Sequence, residues 1–184
     1  HLSPHNSGQG GSGRPPSTHH RPCTVNIAPH NTGTPLPQIE HSSIVNRGLL
    51  RWRHPTIRVG TLNCCTAWRP GEVENIVEDL RASKVEACGL QETRQLARGQ
   101  REVNQEGWMY FWSGHDNHRQ GGVGLLLHPR VAKAMMGSPA FVSDRIMKVS
   151  LEGTVRVTLV VIYAPTERAS HQAKDSFYTD LNDA

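Results

Sequence analysis

Several shortages in this sequence narrow what it encodes. It has no apolar run long enough to cross a bilayer and no signal-peptide pattern at its start. The expected setting is therefore intracellular, nuclear or cytoplasmic, with no membrane contact. None of its 4 cysteines is paired at the Cys-x-x-Cys spacing of a metal or redox site. Cys23, Cys64, Cys65 and Cys88 read as small apolar residues of a reducing compartment, Cys64 and Cys65 facing opposite ways on a strand. No methionine opens the chain, which reads as a fragment. Acidic residues are almost missing from the first part: up to Arg58, 6 arginines face Glu40 alone, while the remainder holds 14 basic and 15 acidic side chains. The formal net charge of +4 thus belongs to the tail. Such a tail either favours a polyanion such as nucleic acid or is simply a solvated arm.

Residues 1–55 are rich in Gly, Pro, Ser, Thr, Asn and His, and bury too little apolar surface to offset their ordering entropy. The expectation is a disordered basic arm over 1–55 followed by a folded unit over 56–184. His19 and His20 read as low-complexity drift or a weak metal tract. Arg47, Arg51 and Arg53 with Trp52 read as a polar linker or as a grip on a nucleic-acid backbone.

Order is expected from Ile57. Ile57 to Asn63 and Val85 to Gln91 read as strands flanking a helix, Gly71 to Ser83, whose Val73, Ile76, Val77 and Leu80 form one apolar stripe. This spacing suits a crossover that leaves the two strands parallel. Trp108 to Ser113 and Val123 to His128 read as a hairpin with a long polar loop. Pro129 to Met136 reads as a short helix. Arg145 to Leu151 and Val155 to Tyr163 read as a second hairpin, its latter strand apolar on both sides and expected to be covered on both. Ser170 is placed to cap a last helix with Ala173, Phe177, Tyr178 and Leu181 on its apolar face. That helix breaks off at Ala184 while still productive, again suggesting truncation.

Three motifs end apolar runs, and each delivers one polar side chain: T-L-N-C with Asn63, L-Q-E-T with Glu92, V-I-Y-A-P with Tyr163. A carboxylate at the end of a buried strand is costly unless compensated. Glu92 is therefore either a ligand for a hard divalent cation or an ordinary Glu opening a loop. Asn63 either holds a carboxylate or phosphate oxygen or terminates a strand in a turn. Tyr163 either donates to a phosphate oxygen or is an aromatic at a sheet edge. His115, Asp116 and His118 offer metal-ligand types, but in a polar loop that reads as solvated.

Taken in order, these motifs resemble the exonuclease–endonuclease–phosphatase superfamily. L-Q-E-T-R, G-G-V-G-L-L-L, S-D-R-I-M-K-V-S-L, V-I-Y-A-P and K-D-S-F-Y-T-D-L resemble more narrowly the endonuclease of non-LTR retrotransposons and the related craniofacial development protein 2-like sequences. The resemblance runs from Ile57 to the end and matches only the first half or so of such a domain. It implies an α/β, four-layer sandwich of two stacked mixed β-sheets flanked by helices, here truncated. It also implies Mg²⁺, with Mn²⁺ as a substitute, and a Mg²⁺-dependent endonuclease that nicks a DNA strand through backbone contacts. By this resemblance Glu92 is the metal ligand, Asn63 orients the phosphate or the water-activating Asp, Tyr163 binds the phosphate in its transition state, and Arg145 lies close to the phosphates.

The sequence departs from that pattern in two places. Cys65 stands where the family often has an acidic residue, and the G-D-x-N and S-D-H motifs that carry the water-activating pair do not occur after Tyr163. The expectation is a catalytically incomplete chain that self-associates through an uncovered sheet. Three alternatives stand beside it: a non-catalytic nucleic-acid or chromatin interaction remnant, a phosphoinositide or RNA substrate, and a gene fragment without function.

Overall fold

Two sheets organise the chain, and the pattern of burial along their strands shows how they stack. The structure, a computed structural model, describes residues 23–27 and 56–184. The larger sheet contains β1 (Cys23–Ile27), β2 (Ile57–Asn63), β3 (Ala87–Gln91), β4 (Arg98–Glu102), β5 (Met109–Ser113) and β6 (Val123–Leu127), in the order β1-β2-β3-β6-β5-β4. The smaller contains β7 (Ala140–Ser143), β8 (Ile146–Leu151) and β9 (Val157–Ile162) in chain order. Helices α1 (Glu72–Ala82), α2 (Pro129–Ala132) and α3 (His171–Asn182) complete the elements among the described residues.

β2 and β3 pair parallel, as the intervening helix requires, with Asn63 opposite Gln91. Every other pairing is antiparallel. β3 is buried from Ala87 to Leu90 because both its faces are covered. On one face α1 packs Val73, Val77 and Leu80 against Cys88, Leu90 and Leu126. On the other, Ala87, Leu125 and Leu127 meet Met147, Val149, Leu159 and Val161 of the smaller sheet. The sheets approach closely there: a Cβ added at Gly89 would lie 3.2 Å from the Val161 methyls. The end of α3 reaches the outer side of β8, where the Lys148 ammonium donates to the Ala184 carbonyl. The layers therefore run helix α1, mixed sheet, antiparallel sheet, with the chain end after α3 touching the outer side of β8.

The local reasons match the expected elements. α1 begins after Gly71, whose φ of 84° suits glycine, and it carries Glu72 and Glu74 in its first turn and Arg81 in its last. Ser170 caps α3 by accepting from the Ala173 amide at 3.2 Å.

Several expectations need correction. Cys23–Ile27, inside the segment read as a disordered arm, forms an edge strand antiparallel to β2, while the rest of that arm lies outside the described residues. Period-two alternation is too short in C-T-V-N-I to announce it. β9 is covered on one side only: Leu159 and Val161 are buried, whereas Val160 and Ile162 are 45% and 40% exposed. α3 buries Phe177 and leaves Tyr178 57% exposed. Cys65 lies past the end of β2 and is exposed, while Cys64 is half-buried and Cys88 buried. β4 and β7 escaped notice because R-G-Q-R-E has no apolar run and the apolar part of A-F-V-S is only three residues long.

Candidate active site

The parallel register sets Asn63 and Glu92 at adjacent strand ends, and β9 brings Tyr163 over the same point. The Asn63 side-chain amide donates to Glu92 Oε1 at 2.8 Å. The Tyr163 hydroxyl donates to the same oxygen at 3.1 Å. Residues separated by 29 and 71 positions in sequence thus converge on one carboxylate atom. The other oxygen, Oε2, has the Arg94 guanidinium at 3.9 Å, too far for a hydrogen bond. The Glu92 side chain keeps 25% of its surface in solvent.

The backbone around this carboxylate is held in unusual conformations. Glu92, Arg94 and Cys65 have φ of 57°, 53° and 58°, left-handed values that cost non-glycine residues about 1 kcal/mol or more each. Their neighbours pin them in place. The Cys64 amide donates to Gln91 O at 3.0 Å and the Ala67 amide to Thr93 O at 2.9 Å. Asn63 Oδ1 accepts from the Cys65 amide at 3.1 Å, which fixes the amide orientation that faces Glu92. On the far side the Arg94 amide donates to Gly121 O at 2.8 Å. Gly121 needs to be glycine: its φ is 68°, and a Cβ there would sit 3.3 Å from the Tyr163 ring.

Arg145 belongs to this group through Tyr163. Its Nη1 donates to the Tyr163 carbonyl at 3.1 Å, and its guanidinium lies 5.1 Å from the tyrosine ring centroid. Desolvation, then the hydrogen bond to Glu92 and that carboxylate's charge, raise the Tyr163 pKa above the ordinary tyrosine value. The hydroxyl therefore remains a protonated donor at neutral pH.

The four sequence candidates Asn63, Glu92, Tyr163 and Arg145 thus lie together. His115 and His118 do not join them. Their rings stack on each other at 3.5 Å in an exposed loop. Among the described residues no group of three or more His, Cys, Asp and Glu could hold a metal ion. A tetrahedral zinc set is not formed there. A lone carboxylate with one oxygen clear of hydrogen-bond donors does fit a hydrated Mg²⁺, which takes few protein ligands.

Sequence reasoning missed Arg94, Arg119 and Trp68. Arg119 Nη1 donates to the Arg94 carbonyl at 3.3 Å, and its guanidinium lies 4.5 Å from the Trp68 ring centroid. No periodicity flags these residues; the isolated tryptophan in T-A-W-R-P was the available signal.

Comparison with known proteins finds distant similarities. The chain is 27% identical over 124 residues to craniofacial development protein 2 of Bos taurus, and 25% identical over the same length to that of Tragulus javanicus. Each match covers 67% of this chain but only 20% and 21% of those relatives, so the chain spans about a fifth of their length. Among solved structures, AP endonuclease LMAP from Leishmania major superposes with a TM-score of 0.49 at 14% identity, covering 69% of this chain and 47% of that one. No protein-family model matches the chain.

Proposed function

We propose that this chain is the Glu92-bearing portion of a Mg²⁺-dependent endonuclease-type phosphodiesterase of retrotransposon origin that nicks a DNA strand, and that these 184 residues alone are catalytically incomplete. One observation carries the reading: two neutral donors, Asn63 and Tyr163, hold one oxygen of Glu92, while the other has no hydrogen bond among the described residues and only the Arg94 guanidinium at 3.9 Å. Neutral donors orient a carboxylate without cancelling its charge, and a cation completes the balance. Glu92 would hold Mg²⁺, or Mn²⁺ in its place, with water and phosphate oxygens filling the shell. Bound there, the ion would supply Lewis-acid stabilisation of charge on the phosphate.

The chain's own residues do the rest. Tyr163 and Asn63 carry N–H and O–H donors beside the metal position and can turn from Glu92 to a non-bridging phosphate oxygen. Arg145 fixes the Tyr163 main chain and ring. The G-D-x-N and S-D-H motifs that would take the proton from the attacking water are not in this sequence, which is the basis for proposing incompleteness.

Titration with Mg²⁺ alone, or with Mn²⁺ followed by electron paramagnetic resonance, tests the assignment. One divalent ion should bind, and Glu92→Gln should weaken it at least about tenfold. Equal binding by both proteins sinks the assignment. In a plasmid-nicking assay with Mg²⁺ the chain should show little or no turnover, and turnover abolished by Glu92→Gln would refute the incompleteness. The exposed Val160 and Ile162 on edge strand β9 support a further expectation, self-association at high concentration, checked by sedimentation.

A non-catalytic nucleic-acid remnant is the second reading, favoured by the guanidiniums of Arg94 and Arg145 beside the site. DNA binding that survives Glu92→Gln but is lost on replacing Arg47, Arg51 and Arg53 by alanine would select it.

A further inference from the structure

The rim of the Glu92 centre carries a feature that phosphate chemistry does not use. Trp68 is 42% exposed. The other described tryptophans are enclosed: Trp108 is 1% exposed, and Trp112 is half-buried and donates its indole N–H to Leu96 O at 3.2 Å. A single exposed apolar side chain is ordinary on a protein surface. Trp68 differs in how it is mounted. Its neighbour Ala67 is 1% exposed and bound on both sides, its amide to Thr93 O at 2.9 Å and its carbonyl to the Gln95 side-chain amide at 2.8 Å. The indole is thus anchored to the segment that follows Glu92. Its ring has Arg119 at 4.5 Å and Arg69 at 5.6 Å, both within cation–π range. Arg119 in turn reaches the Arg94 carbonyl, and the Arg94 guanidinium lies 3.9 Å from Glu92. An unbroken line of contacts runs from the carboxylate to the tryptophan.

An exposed aromatic face among guanidiniums is the combination that takes a nucleobase and its phosphates together. An inositol phosphate would use the arginines alone. We infer that Trp68, braced by Arg119, is a base-stacking platform beside the Glu92 centre, selecting a nucleic-acid strand with an unpaired base over a phosphate-only ligand. This deepens the proposed phosphodiesterase reading and rests on it for the placement of the strand.

The test uses the 184-residue chain in buffer with EDTA, so that binding does not depend on a metal. Fluorescence anisotropy compares a single DNA strand of about twelve nucleotides with a chain of the same length carrying deoxyribose phosphates and no bases. The base-bearing strand should bind about tenfold more tightly or better. Trp68→Ala should erase that difference while leaving the baseless chain's affinity and the thermal unfolding temperature unchanged. Trp68→Phe should keep most of the preference, and Trp68→Leu, which keeps apolar bulk without a π-face, should lose it. Inositol hexakisphosphate should displace the baseless chain equally from wild type and Trp68→Ala.

Three results overturn the inference. They are equal affinity for the two strands, a preference that survives Trp68→Ala, or an equal loss for both strands, which would make Trp68 a brace for Arg119. These outcomes are separate from the catalytic reading, because divalent-ion binding that ignores Glu92→Gln defeats that reading whatever Trp68 does.

Discussion

Strand β3 has a glutamate at each end, and the two are treated in opposite ways. Glu86, just before the strand, accepts from the Arg130 Nε at 2.9 Å and from its Nη2, with the Arg58 amide at 3.4 Å. Its charge is met by an opposite charge in a forked contact. Glu92, just after the strand, receives neutral donors from Asn63 and Tyr163, and its nearest guanidinium stands off at 3.9 Å. The left-handed residues Cys65, Glu92 and Arg94 gather at that second end. One end of the sheet is closed by an ion pair and serves stability. The other holds an ordered charge on strained backbone, met only by the Arg94 guanidinium at 3.9 Å, and it is this end that the proposed function assigns to a ligand.

The largest expected effect breaks the closed end. Arg130→Ala should leave the Glu86 carboxylate in a partly buried place without its main partner and cost about 1–2 kcal/mol, a fall of roughly 3–6 °C in melting temperature for a domain of this size. Ion binding at Glu92 should not change, and a simultaneous loss of both would contradict the division of the two ends. Glu92→Gln is the converse: it should weaken divalent-ion binding about tenfold, near 1.4 kcal/mol, and move the melting temperature little.

Glu92→Gly sharpens the comparison further. Glycine tolerates a φ of 57°, so this variant should lose the ion yet gain up to about 1 kcal/mol in stability by denaturant titration. A loss of stability would show that the Glu92 hydrogen bonds outweigh the strain. The smallest effect near neutral pH concerns the thiols, which change stability only in alkali. Burial pushes Cys88, under α1, and Cys64, beside the site, up to about 12 from 9.0. Each thiol is held protonated by the fold, so its contribution is present below pH 9 and is lost as pH rises through about 12. Stability should decline over that window, and mass spectrometry after alkylation should show exposed Cys65 modified before Cys64 and Cys88.

Much of the layout was legible before any coordinates. The apolar runs ending at Asn63, Gln91 and Ile162 mark β2, β3 and β9, because a buried strand must be apolar and its end is where a polar side chain emerges. The stripe through Val73, Val77 and Leu80 marks α1, and Ser170 marks the start of α3. The open face of β9 was not legible, since Val160 and Ile162 are as apolar as their buried neighbours. Nor was the edge strand Cys23–Ile27, whose partner lies on the far side of a long polar segment. Arg94, Arg119 and Trp68 were invisible as a group because cation–π and backbone contacts between loops leave no period in the sequence.

The sequence by itself determined which residues stand at strand ends, since apolar periodicity is a local property of the chain. It also determined that the early segment is basic. Only the tertiary structure decided that Asn63 and Tyr163 meet on one oxygen of Glu92, that Arg94 stops short of the other, and that Trp68 shares this rim. Those outcomes depend on register across the β2–β3 pair and on the close stacking of β9 over Gly89, and packing of distant segments fixes both.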